Sequence, residues 1–262
     1  NHVPVGFFSL EMSNVQLVNR LISNVCEIKG EKLKNGQLEP YEWIQLDKQI
    51  KRLYDAPLYV DDTPSLTIFE LQTKVRRLVK EHGVKIIMID YLQLMGAGDS
   101  RIGNRQEEVA TISRALKQLA KELNIPIIAL SQVNREAGKR EGDEGKRPQL
   151  TDLRESGSIE QDADIVCFIH RPEYYHIGGE EMKGKAVIII AKHRNGAVGD
   201  VNLRFRAIYA SFENLGDNIV SSNYNDSSVD QMASTDVSQL PPPSFDNDPF
   251  DSPNPDEENS PF

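Results

Sequence analysis

Compact apolar runs alternate along this chain with stretches whose apolar residues recur every three or four positions. The runs at 3–10, 58–60, 86–89, 125–130 and 164–169 read as strands, and most of the stretches between them as helices. One helix carries Leu17, Val18, Leu21, Ile22 and Val25 on one face, opened by a capping box of Ser13 and Gln16. A second begins at Pro40, which suits a first turn, and shows Trp43, Leu46, Ile50 and Leu53, with Trp43 expected in the core. A third places Ile68, Leu71, Val75, Leu78 and Val79 between a Thr67 and Glu70 capping box and a closing Gly83. After a glycine-bearing loop at 96–104, a long helix presents Val109, Ile112, Leu116, Leu119 and Leu123. The runs at 186–191, 201–205 and 208–212 then follow one another without a helix and predict an antiparallel end. Strands alternating with helices in this way predict an α/β fold with a mostly parallel sheet covered on both sides.

The run Ile86, Ile87, Met88, Ile89 enters Asp90 without a polar break, the pattern of a parallel strand buried on both faces. Ligands of open α/β sheets bind outside the carboxyl ends of the strands, so Asp90 is poised to hold a metal or polarise a water. A hydrophobic strand ending in Asp is the arrangement of a Walker B element, whose Asp holds the magnesium of a bound nucleoside triphosphate. Asp also starts turns and caps helices, so the run alone leaves both readings open.

Three more strand ends carry candidate chemistry. Glu11 follows the apolar run in FSLEM, as a general base for water or as the first-turn acid that a helix amino terminus favours. Gln132 follows IIALS, where its amide is placed to sense a terminal phosphate or to serve as a loop residue. Lys192 and Arg194 flank His193 ahead of an Asn195-Gly196 pair that signals a hairpin, and the period of two puts both cations on one face. Such a tip is either merely soluble or the site of an arginine finger. Ahead of the run at 164–169, DLRESGSIEQD offers Arg154 and a flexible Ser156, Gly157, Ser158 turn, whose N–H groups and guanidinium suit phosphates, although a polar capping loop has the same composition.

Charge and cysteine content alter the picture in one respect. The formal net charge of −10 over 262 residues suggests a protein that avoids nucleic acid, but residues 216–262 hold ten Asp and Glu and no Lys or Arg. That leaves 30 residues of each sign in 1–215, a neutral body. The tail is rich in Ser, Asn, Asp and Pro, includes Pro241, Pro242 and Pro243, and is expected to be disordered. Cys26 and Cys167 sit in apolar runs without paired spacing and read as small core residues of a reducing compartment. No apolar run approaches a membrane span and no signal peptide opens the chain, so a cytoplasmic location without membrane contact is expected. A first residue of Asn1 directly before a strand reads as a piece of something longer.

Taken together and in order, FSLEM, IIMIDYLQLM, ALSQVNR, DLRESGSIEQDAD and KHRNGAVG resemble the motor domain of replicative DNA helicases of the DnaB type, over residues 3–214. The resemblance implies a RecA-like core that assembles as a homo-hexameric ring around single-stranded DNA and hydrolyses ATP, with Mg2+, at subunit interfaces. It implies primase and a helicase loader as further partners. Glu11 then looks like the glutamate that activates water, Asp90 like the Walker B acid on magnesium, and Gln132 like the phosphate sensor that couples hydrolysis to DNA. Arg154, Glu155 and Gly157 match the loop that contacts the DNA backbone. Lys192 and Arg194 match the pair that reaches into a neighbour's nucleotide.

One departure from that family stands out. A P-loop, G-x-x-x-x-G-K-[ST], should precede Glu11 and is absent. The nearest look-alike has Gly98 and Gly103 correctly spaced, but Asn104 and Arg105 stand where Lys and Ser or Thr are required. The motor domain at 1–215 is thus expected to be incomplete, lacking a central strand and its phosphate loop. ATP-driven unwinding is expected of the parent protein rather than of this chain alone. Another RecA-like ATPase remains an alternative, although a recombinase should differ at the Lys192 hairpin, and so does a non-catalytic DNA-binding module. In the tail, acids followed by Pro-Phe occur at Phe250 and again at Phe262. The terminal copy resembles the acidic tip of bacterial single-stranded DNA-binding proteins, which implies docking to a replisome protein. A solvated tail that repels DNA is the alternative.

Overall fold

Four parallel strands carry the candidate residues. They are β1 (Val5–Ser9), β2 (Leu58–Asp61), β3 (Ile86–Asp90) and β4 (Ile127–Ala129), in the order β2-β1-β3-β4. The structure, a computed structural model, describes residues 2–98, 104–134, 138–142 and 145–215, and of residues 154–156 the backbone alone. The tail expected to be disordered, and Gly103 of the P-loop look-alike, lie outside the described residues.

Helices α1 (Asn14–Cys26), α2 (Gly30–Asn35) and α3 (Pro40–Tyr54) connect β1 to β2; α4 (Ile68–His82) connects β2 to β3; α5 (Arg105–Leu123) connects β3 to β4. The capping boxes read from Ser13 with Gln16 and from Thr67 with Glu70 are both formed, each satisfying two amide groups at a helix start. Gly83 ends α4 at φ 64°, a conformation that suits glycine at a helix terminus. Phe8 and Ile87 from the sheet, Leu71 and Val75 from α4, and Ile112 and Leu119 from α5 close one face into a core in which each is fully buried. Each such side chain contributes about 1.5–3 kcal/mol by leaving water.

The second face is covered less than the sequence predicts. Burial along β3 alternates, with Ile87 and Ile89 enclosed and Ile86 and Met88 partly exposed. On β4, Ile128 is in register with Met88, shares its less covered face and is 47% exposed. Trp43 is 55% exposed rather than core. The reason is that α3 packs on α1 and not on the sheet, and its one buried residue is Glu42, whose carboxylate accepts from Lys32 Nζ at 2.8 Å.

A second sheet, β5 (Ile165–His170), β6 (Lys185–His193), β7 (Gly199–Arg206) and β8 (Ser211–Asn214), is antiparallel throughout. The antiparallel end expected from the sequence is therefore present and includes β5, which pairs with β6. One face of β5 packs Val166 and Phe168 with Leu153 and Ile189, while Cys167 is exposed on the other, so only Cys26 is the buried thiol the sequence predicts. The strand expected at 208–212 begins later, at Ser211, because residues 207–210 turn with Ala210 at φ 50°. The Asn195-Gly196 hairpin is longer than a two-residue turn, since β6 and β7 pair only from Ile190 and Gly199 outward. Gly196 keeps φ outside the left-handed region and lies on the His193 ring, where a Cβ would meet Cε1 at 2.9 Å.

Candidate functional site

Parallel pairing brings the carboxyl ends of β1, β3 and β4 to one edge, and with them Glu11, Asp90 and Gln132. Ser9 is in register with Asp90, and the Leu10 amide donates to the Asp90 carbonyl at 2.8 Å, so Glu11 leaves the sheet directly beside Asp90. The buried Ser9 hydroxyl donates to the Met12 carbonyl at 2.7 Å and turns the chain toward α1. Burial holds the Asp90 carboxyl above the ordinary aspartate range; the nearby Glu11 charge raises it further, and Arg20 on α1 opposes both. No hydrogen bond is among the influences on it. The acids at the end of β2 are occupied structurally: Asp61 pairs with Lys74 at 2.5 Å, and Asp62 accepts the Asn14 amide at 2.8 Å, which caps α1.

Gln132 is exposed, and its backbone is set by a residue the sequence reading passed over. Gln93 donates from Nε2 to Ser131 Oγ at 2.9 Å and accepts the Gln132 amide at Oε1, 3.2 Å. It thereby ties the exit of β3 to the exit of β4. Two residues on, the Asn134 amide donates to the Asp152 carbonyl at 3.2 Å. Asp152 is 5% exposed, forms an ion pair with Arg140 and accepts the Gln149 amide at 2.8 Å, capping the 3-10 turn Leu150–Ser156. The segment after the strand-end glutamine and the loop of Arg154, Glu155 and Gly157 therefore meet at Asp152, whose backbone carbonyl accepts from Asn134 and whose buried carboxylate holds Arg140 and the Gln149 amide. The side chains of Arg154 and Glu155 lie outside the described residues; Gly157 opens the short helix α6 (Gly157–Asp162).

Lys192 and Arg194 point the same way, as their spacing predicts, and converge on the carboxyl end of α6. Lys192 Nζ donates to the carbonyls of Glu160 and Ala163, the latter at 2.9 Å, and Arg194 Nη2 donates to that of Gln161 at 2.6 Å. Arg194 Nε lies 3.6 Å from the Asp164 carboxylate, which also pairs with Lys117 on α5. Within one chain the two cations thus engage helix-end carbonyls, a favourable place for positive charge, and not the Glu11 and Asp90 edge.

The model of the DnaB-like helicase C terminal domain matches residues 1–214, nearly all that the structure describes. The chain belongs to that family. The replicative DNA helicase DnaB of Geobacillus stearothermophilus is 49% identical over 212 residues, and that of Rickettsia prowazekii 46% over 227 residues; each match covers 80% of this chain and 46% of the relative. The chain thus spans less than half the length of these curated relatives. Among solved structures, the ATPase domain of G40P matches with a TM-score of 0.75 and 37% identity, over 81% of this chain and 75% of that one. A DnaB-like replicative helicase, described with its interactions with primase, gives the same TM-score and identity over 81% of this chain and 51% of that one.

Against the family's needs, Glu11 and Asp90 offer a divalent ion two neighbouring carboxylates at one sheet edge, and no group of three or more possible metal ligands occurs among the described residues. The phosphate cradle has no counterpart among the described glycines. Gly98, the nearest, sits at φ 76° with Phe69 of α4 3.1 Å from where a Cβ would lie, so its conformation serves local packing.

Proposed function

We propose that this chain is the motor portion of an ATP-dependent replicative DNA helicase whose ring of six copies moves along single-stranded DNA and unwinds duplex DNA at the replication fork. The observation that carries the reading is the pair Glu11 and Asp90 at adjacent parallel strand ends, close enough that the charge of one raises the carboxyl of the other. Asp90 would hold Mg2+, which supplies charge neutralisation on the phosphates. Glu11 takes the proton of the attacking water while its oxygen bonds the terminal phosphorus and the bond to the bridging oxygen breaks. Gln132 senses that phosphate, and Arg154, Glu155 and Gly157 meet the DNA backbone. Lys192 and Arg194 stabilise the charge that develops on a neighbour's ATP.

Primase is proposed as a partner because a structural relative at 37% identity is described with it; a helicase loader follows from the family resemblance. A cytoplasmic location is proposed, and no described helix is long and apolar enough to cross a membrane. The acidic tail, ending in Pro261 and Phe262, is proposed to dock a basic-rimmed apolar pocket on a replisome protein. Equal binding by tail peptides ending at Phe262 and at Ser260 would exclude that docking.

The test of the reading uses the parent protein with its phosphate loop. Glu11→Gln is expected to keep ATP binding and to cut turnover by roughly 10²-fold or more, the usual contribution of a general base. Turnover at the unaltered rate removes Glu11 from the chemistry.

A further inference from the structure

Helix α6 has one end at the loop assigned to DNA and the other under both cations assigned to the neighbour's nucleotide. Gly157 begins it, and the carbonyls of Glu160, Gln161 and Ala163 at and just beyond its far end accept from Lys192 and Arg194. Asp164 adds a carboxylate to that end and is shared between Arg194 and Lys117. Three cations surround this one acid, and they hold its carboxyl below the ordinary aspartate range, Lys117 most strongly. The Gln161 carbonyl at 2.6 Å and the Asp164 carboxylate hold the Arg194 guanidinium against its own chain, and its remaining N–H groups reach a phosphate in another only if the side chain leaves this position.

We infer that the carboxyl end of α6, with Asp164, is a clamp that stores Lys192 and Arg194 within their own chain and releases them to a neighbour when DNA shifts the loop at the start of α6. The inference rests on the proposed hydrolysis at subunit interfaces and adds to it a positioning residue, Asp164. The helix is only six residues long, so a displacement at Gly157 reaches the carbonyls of Glu160 and Gln161 without an intervening joint. Lys117 moderates the clamp, because it takes one oxygen of Asp164 and leaves the other to Arg194.

The test measures Mg-ATP turnover of the parent hexamer with and without oligo-dT. Asp164→Asn is expected to raise the DNA-free rate by about 2- to 5-fold, the scale of one half-exposed ion pair, while the DNA-stimulated rate stays within that factor of the parent's and the ratio of the two falls. Lys117→Gln is expected to act in the opposite sense, lowering the DNA-free rate and raising the ratio, since Asp164 then belongs to Arg194 alone. Equal loss with and without DNA in Asp164→Asn overturns the clamp and leaves Asp164 as a support for Arg194. A Lys117→Gln protein that shifts the ratio downward, or not at all, overturns it even where Asp164→Asn does not fold. An unmodified hexamer that fails to hydrolyse Mg-ATP overturns the proposed function instead, which keeps the two failures apart.

Discussion

Replacing Asp152 by Ala removes the carboxylate that caps the Arg154 loop and pairs with Arg140, and its cost follows from the groups left behind. The Gln149 amide loses a charged acceptor at 2.8 Å, and hydrogen bonds to charged groups contribute about 1.5–3 kcal/mol. Arg140 loses its partner, but its side chain is 32% exposed and rehydrates, so the pair itself adds less than about 1 kcal/mol. The Asn134 bond to the residue-152 carbonyl is a backbone contact and can persist. A local cost of about 2–3 kcal/mol results, while Asp152→Asn retains an acceptor for Gln149 and costs about 1 kcal/mol. Amide hydrogen exchange read over residues 132–157 is the assay, because the loss concerns local opening more than the global transition. Protection there should fall roughly 30- to 150-fold for Asp152→Ala, with the strands β1 and β3 unaffected. DNA stimulation of turnover should fall with it while DNA-free turnover remains. Exchange within about threefold of the parent would show that Asp152 holds nothing, and retained DNA stimulation in an opened loop would show that the loops are coupled elsewhere.

The raised carboxyl of Asp90 means that its charged form costs stability as pH rises from the ordinary aspartate range through the raised value. Asp90→Asn should therefore unfold at a higher temperature than the parent at neutral pH without Mg2+, with the difference vanishing in acid, and should lose Mg-dependent hydrolysis; a lower melting temperature at neutral pH refutes the sign. In the core, Leu119→Ala should cost about 2–5 kcal/mol by urea unfolding, whereas Trp43→Ala, at an exposed position on α3, should cost under about 1 kcal/mol. Equal costs would return Trp43 to the core.

Where a pattern depends on one element and its immediate neighbours, the residues alone located it. The capping boxes at Ser13 and Thr67, the buried stripe of α5 and the placing of Glu11, Asp90 and Gln132 at strand ends are of this kind. What escaped is what tertiary contact decides. Trp43 has the spacing of a core residue, but its helix packs on α1 and leaves it exposed. Gln93 is a polar residue within an apolar stretch, a signal that was present; the residues it ties, Ser131 and Gln132, are 38 and 39 positions away and carry no mark of the pairing. Asp164 reads as one more acid before a strand until β6 returns Lys192 and Arg194 to it.

The apolar runs at β4 and β5 misled in a more instructive way. A run without alternation is suited to burial on both faces with a strand on each side, yet β4 has one partner strand and β5 pairs only with β6 among the described residues. Beside the open edges, one face is also uncovered: Ile128 and Leu130 on and beside β4, and Ile165 and Ile169 on β5, are exposed. Unpaired strand edges bearing large apolar side chains are unfavourable in water and recruit a partner strand. The open edges of β4 and β5 are of this kind among the described residues. The sequence of β4 and β5 thus records a degree of burial that the eight described strands do not themselves supply.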